Sequence, residues 1–137
     1  MDAARPVRTR SRALPLADAV ALLAFVIVGA AKHGEGFEPA ALLRTGLPVL
    51  AAWFVLSLPI GTYRRPGWWT LILTWITAIP AALLIRSAVR GGPWGHGLVV
   101  FGGVAMAFTL LFLIVGRLAL LLAAVVRSPG RGSLGAG

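Results

Sequence analysis

Apolar residues along this chain fall into four long blocks, and polar residues are concentrated in the short segments between them. The blocks cover about residues 13–31, 45–63, 66–85 and 97–126. The charged residues inside them are Asp18 and Arg117. An α-helix rises about 1.5 Å per residue, so about 20 apolar residues cross a hydrocarbon core about 30 Å thick. Unpaired backbone groups are costly in lipid, so each block is expected to form a helix. The pattern predicts an all-α integral membrane bundle of four transmembrane helices, at about residues 14–32, 41–63, 66–88 and 97–126.

Composition supports this prediction. The chain of 137 residues is 58% hydrophobic and 12% charged, with a mean hydropathy of +0.89, whereas soluble domains carry about 25% charged residues. The length suits one transmembrane domain at 13–126, between a basic cytoplasmic tail at 1–12 and a flexible cytoplasmic tail at 127–137. The absence of cysteine excludes disulfides, thiol catalysis, thiolate metal sites and iron–sulfur clusters. No cofactor is predicted.

The net charge of +9 indicates orientation, because Lys and Arg stay on the cytoplasmic side of membrane segments. Nine of the 13 basic residues would share one side with both termini: Arg5, Arg8, Arg10, Arg12, Arg64, Arg65, Arg117, Arg127 and Arg131. The other side would hold Lys32, Arg44, Arg86 and Arg90. This predicts a multi-pass protein of the cell (inner) membrane with cytoplasmic N- and C-termini. Nucleic acid is not expected as a partner, because the arginines flank apolar spans and form no separate basic domain.

The first block leaves a second interpretation open. Arginines, an apolar stretch and the small residues Gly29, Ala30 and Ala31 are also typical of a cleavable signal peptide. The charge of Asp18 inside the stretch, and a length sufficient to span, favour a retained helix.

Asp18 is the one acidic residue inside an apolar block. It is expected about three residues, or roughly 5 Å, from the inner end of the first helix. A carboxylate there must be paired, hydrated or protonated, which makes it a functional candidate. Arg117 is expected at a similar depth on the same side, so the two are predicted to form an intramembrane ion pair. The pair could join the first and fourth helices or take part in function, and Asp18 could instead cap a helix start.

The segment GAAKHGEGFE, residues 29–38, is polar between two apolar blocks. His33 and Glu35 are predicted to meet Arg86 at the outer membrane face and to bind a small polar ligand or a head group. The alternative is that they are ordinary residues of a wet loop. Two histidines and two glutamates barely reach the three or four ligands that a metal needs, so no metal site is predicted. No catalytic constellation is present, and the protein is predicted not to be an enzyme.

The polar positions, taken in order, resemble those of a known family, domain of unknown function 3054. LADAVALLAFVIVGAAKHGEG resembles its opening pattern D…F…G-R-x-x-H-x-E-G, LLRTGLP its R-T-x-P stretch, LTWITAIPAALLIR its W-x-x-T…R helix, and FLIVGRLALLL its closing G-W-R. The resemblance covers about residues 16–122. The family implies a small four-helix integral membrane protein, and it implies no known activity.

The resemblance carries over residue by residue. The matching positions are Asp18, His33, Glu35, Thr45, Pro48, Trp75, Thr77, Arg86 and Arg117. Ala30 stands where the family usually has arginine, and the family's tryptophan before the last arginine is missing here. The polar segment at 29–38 is therefore part of a family pattern, which favours a role for it beyond reversing the chain.

Together these features predict a non-enzymatic membrane protein that binds or assists something at the bilayer. The chain is too small to enclose a wide pathway alone, so a homo-oligomer or another membrane protein is an expected partner. One alternative is a small oligomeric transporter. Small multidrug exporters also have four helices, but their membrane carboxylate is central in the first helix, whereas Asp18 is expected near the end of it. This difference counts against the transporter. A third interpretation, a membrane enzyme acting on lipid head groups with His33 and Glu35, lacks a nucleophile or a metal set.

The predicted topology can be tested with reporter fusions. Fusions after Pro39 and Pro93 should report an outside location, and a fusion after Arg65 an inside one, because the charge distribution places both termini in the cytoplasm. An inside location at Pro39, or a mature N-terminus beginning at Lys32, would contradict this arrangement.

Overall fold

The computed structural model describes residues 7–32, 38–92 and 94–127, and residues 7–11 by their backbone only. Four helices account for nearly all of them: α1 (Val7–Lys32), α2 (Pro39–Ile60), α3 (Trp68–Arg90) and α4 (His96–Val126). Each is long and apolar enough to cross a membrane. The predicted all-α bundle of four transmembrane helices is confirmed.

The helices form a ring of four. Helix α2 packs closely on α3, and α1 on α4; the contacts of α1 with α2 and of α3 with α4 are less extensive. The connections before and after α3 lie at opposite ends of this helix. The connection between α2 and α3 is therefore at one end of the bundle, and the connection between α3 and α4 is at the other. These are called the α2–α3 end and the α3–α4 end below.

Local sequence explains where α2 and α3 begin and end. Pro39 opens α2 at a position where its missing N–H is not needed. Gly61, in the left-handed conformation with φ 76°, ends α2 after Ile60, three residues before the predicted boundary at 63. Gly67 is extended, and its N–H donates to the hydroxyl of Thr70 at 3.2 Å at the start of α3.

Helix α1 begins earlier than the sequence pattern suggested. The pattern placed its start at about residue 14, after a basic tail at 1–12, but the helix is continuous from Val7. Arginine is a good helix former, so the basic segment can continue the helix outside the apolar block. Asp18 therefore lies about 16 Å along α1 from its first residue, instead of near a helix end.

Each helix contributes one large, fully buried side chain to the hydrophobic core. These residues are Leu22, Trp53, Leu71 and Leu113. Small residues allow α1 and α4 to approach closely: a Cβ added at Gly116 would lie 3.4 Å from Ala21 Cβ. The outer surface is also apolar, with Leu58, Val99 and many other large aliphatic side chains exposed, as expected of helices that face lipid.

Candidate functional site

Asp18 and Arg117 are in contact inside the bundle. Arg117 Nε donates to Asp18 Oδ1 at 3.1 Å, and Arg117 Nη2 donates to Oδ2 at 2.9 Å. Asp18 is fully buried, and Arg117 is 9% exposed. Two parallel hydrogen bonds between guanidinium and carboxylate are a strong, directional form of ion pair. The two residues predicted to pair thus join α1 to α4; whether they also act in function stays a prediction.

Tyr63 is a third member of this site that the sequence analysis missed. Its hydroxyl donates to Asp18 Oδ2 at 2.9 Å and accepts a hydrogen bond from Trp53 Nε1, also at 2.9 Å. Tyr63 lies just after α2 and outside the spans. Burial raises the pKa of Tyr63 above its ordinary value, and the charge of Asp18 raises it further. The phenol therefore stays protonated and acts as a permanent donor to the carboxylate.

The chain after α2 is shaped to deliver this tyrosine. The left-handed Gly61 turns the backbone, and the amides of Gly61 and Thr62 donate to the carbonyl of Ser57 at 3.0 and 3.2 Å. The buried hydroxyl of Thr62 bonds that of Thr74 in α3. Thr62 and Tyr63, adjacent in sequence, thus attach the turn to α3 and α1, respectively.

The sequence did contain a signal for Tyr63. It is the only tyrosine, and the predicted topology puts it on the same side as Asp18 and Arg117. Its place at the edge of an uncharged block resembles that of an ordinary interfacial anchor. The left-handed turn at Gly61 directs it inward instead, and a pattern of apolar positions does not specify that turn.

The polar groups at the α2–α3 end bond one another. Asp18 accepts from Arg117 and Tyr63, and Trp53 donates to Tyr63. Among the described residues, no buried side-chain nitrogen or oxygen lacks a hydrogen-bond partner. This arrangement can hold α1, α2 and α4 together, and it offers a ligand little unused bonding capacity.

A different polar environment is found at the α3–α4 end. A crevice of about 240 Å³ opens there between α3 and α4, lined by Leu83, Arg86, Ser87, Arg90, Gly92 and Phe101. The guanidinium carbon of Arg86 lies 5.3 Å from the centroid of the Phe101 ring, within the range of a cation–π interaction. The crevice combines cationic and hydroxyl groups with an apolar wall.

Arg86 is the one member of the predicted ligand site that the structure describes. His33 and Glu35 lie outside the described residues, so their meeting with Arg86 stays a prediction. Within residues 7–32, 38–92 and 94–127, no group of three or more His, Cys, Asp or Glu side chains is placed to hold a metal ion.

Comparison with known proteins identifies one family. The family described as "Protein of unknown function (DUF3054)" matches residues 15–120, which include both the Asp18 site and the crevice. No curated protein and no solved structure matches the chain.

A double-mutant cycle tests the energetic role of the ion pair. Asp18→Asn or Arg117→Leu alone should lower the free energy of unfolding by about 3–5 kcal/mol, because each leaves a buried group without its partner. The double variant should lose less than the sum of the two. Unfolding in mild detergent would measure all three, with Arg64→Leu, an exposed arginine at the same end, as the control. Strictly additive losses would show that the two side chains do not interact.

Tyr63→Phe tests the contribution of the hydroxyl. It should lower the free energy of unfolding by about 1–3 kcal/mol, because the buried Trp53 N–H then lacks an acceptor and Asp18 loses a donor. Trp69→Phe is the control, since Trp69 is 82% exposed. Equal stability of Tyr63→Phe and the wild type would exclude an energetic role for the hydroxyl.

Proposed function

Because this chain belongs to the DUF3054 family of proteins of unknown function, we propose its function from its geometry. It is a non-enzymatic membrane protein that binds a small polar ligand or a head group at the α3–α4 end. The observation that carries the proposal is the crevice lined by Arg86, Ser87 and Arg90. His33 and Glu35, which immediately follow α1, are proposed to complete the site.

The contrast between the two ends supports this choice. At the α2–α3 end the buried acid and base satisfy each other, which is the arrangement expected of a structural brace. At the α3–α4 end, cationic side chains line an open crevice. Binding requires groups that can exchange water for ligand, and the open crevice meets this condition better than the buried pair does.

The proposed orientation follows from the charge distribution. If both termini are cytoplasmic, the crevice faces the outside of the cell membrane. A second copy or another membrane protein would then act on the apolar outer surface, apart from the crevice.

The arrangement of Asp18 gives less support to the transporter interpretation. A carboxylate that carries cargo must release its protein partners during the cycle. Both oxygens of Asp18 accept hydrogen bonds, and Arg117 matches its charge at 2.9 Å. Freeing Asp18 would require the separation of a buried ion pair.

Native mass spectrometry of the protein ejected directly from membrane vesicles tests the proposed function. The wild type should carry a bound compound at constant stoichiometry, and that compound should be chemically unchanged after prolonged incubation. His33→Ala, Glu35→Gln and Arg86→Gln should each reduce its occupancy about tenfold, in line with the loss of one charge-assisted hydrogen bond. Arg44→Gln is the control, an exposed arginine on α2.

Three results would contradict the proposal. Equal occupancy in all three variants would show that these residues do not form the site. Conversion of the compound into a product would indicate an enzyme. Flux of the compound into proteoliposomes, abolished by Asp18→Asn, would indicate a transporter.

A further inference from the structure

We infer that the ligand carries a phosphate group, and that Arg86, Ser87 and Arg90 hold this phosphate in the crevice between α3 and α4. The inference rests on the proposed function and specifies the class of ligand. Two sources share this chemistry: the head group of a membrane phospholipid and a free phosphate compound.

The spacing of the donors is the first argument. Arg86 and Arg90 are four residues apart in α3, so their side chains lie on the same helix face, and both line the crevice. Guanidinium groups present several N–H donors in a plane and match the oxygens of a phosphate. A phosphate has several oxygens and can accept hydrogen bonds from both guanidinium groups.

The hydroxyl of Ser87 is the second argument. Ser87 is 5% exposed and lines the crevice. Its carbonyl accepts from the amide of Gly92 at 3.1 Å, but its hydroxyl makes no hydrogen bond to any described residue. Every fully buried side-chain oxygen among those residues has a hydrogen-bond partner. The Ser87 hydroxyl has none among them, so it is not fully buried, and it is accessible at the crevice that Ser87 lines. It can donate to a phosphate oxygen between the two guanidinium groups.

The shape of the crevice is the third argument. Its volume of about 240 Å³ is below the range of about 300–1,000 Å³ for pockets that enclose drug-sized ligands, so it suits a small group. Leu83 and Phe101 provide an apolar wall, while Arg90 is exposed at the last residue of α3. Polarity therefore increases along α3 toward the helix end, as it does from acyl chain to phosphate in a phospholipid.

Titration with defined probes tests the inference. The full chain in a phosphate-free detergent is titrated with phosphatidylglycerol, with diacylglycerol of the same chains, and with inorganic phosphate. Native mass spectrometry and the melting temperature are the readouts. One phosphatidylglycerol should bind each wild-type chain, and diacylglycerol should bind at least about tenfold more weakly, because it lacks the phosphate that the arginines contact.

Four variants locate the site. Arg86→Gln and Arg90→Gln should each weaken phosphate-dependent binding about tenfold. Gly92→Ala should weaken it without changing the charge, because the added Cβ would lie 3.4 Å from the Ser87 hydroxyl. Arg65→Gln, an exposed arginine at the α2–α3 end, should leave binding unchanged. Arg90 is also exposed, so its variant keeps the test valid if Arg86→Gln fails to fold.

The outcomes distinguish a phospholipid from a free phosphate compound, and they test the phosphate inference separately from the proposed function. Displacement of phosphatidylglycerol by inorganic phosphate at millimolar concentration would identify a free phosphate compound, and its failure to displace would identify the lipid. If neither probe binds the wild type more tightly than Arg90→Gln, the phosphate inference is overturned. The proposed function would still hold if the wild type ejected from vesicles carries a bound compound that the Arg86→Gln variant lacks. If the wild type from vesicles carries no such compound, the phosphate inference and the proposed function are both wrong.

Discussion

A carboxylate buried between helices that face lipid must have its charge matched within the protein, and much of this structure satisfies that requirement for Asp18. Its side chain is fully buried, and it accepts hydrogen bonds from α4 through Arg117 and from the end of α2 through Tyr63. Lipid does not drive helices together as water does, because apolar side chains are equally well solvated in both places. Directional polar contacts therefore contribute to the specificity of packing. One such contact, between Asp18 and Arg117, joins α1 to α4.

The two ends of the bundle divide the polar chemistry between them. At the α2–α3 end, the acidic, basic, phenolic and indole groups bond one another and connect helix to helix. At the α3–α4 end, a crevice lined by two arginines lies between α3 and α4. Trp75 still joins these helices further inside, where its Nε1 donates to the carbonyl of Met106 at 3.1 Å and to the hydroxyl of Thr109 at 3.2 Å. The crevice can thus open to ligand without loss of the helix contact beneath it.

The sequence predicts the gross architecture well, because the length of an apolar block is set by the thickness of the bilayer. The pairing of Asp18 with Arg117 was also within reach, since a lone acid and a lone base in lipid have few other partners. For Tyr63, the side of the membrane was within reach but the contact with Asp18 was not, because its inward direction depends on the left-handed turn at Gly61. The hydroxyl of Ser87, which bonds none of the described residues, was equally hidden. Its neighbour across the crevice, Phe101, comes from another helix, and the position of that neighbour is a property of the packing. Family resemblance located the motifs but carried no chemistry for them.

The contacts of Asp18 also imply an order of events during synthesis. Arg117 follows Asp18 by 99 residues and Tyr63 by 45. At about 5–20 residues per second, the arginine emerges about 5–20 s after the carboxylate and the tyrosine about 2–9 s after it. Until Arg117 has been synthesised, the nascent α1 carries an acid whose cationic partner does not yet exist. The neutral phenol of Tyr63 is available in about half that time, on the hairpin that α1 and α2 form first. A chain that inserts from its N-terminus thus gains an early hydrogen-bond donor for its buried acid before the ion pair can close the ring.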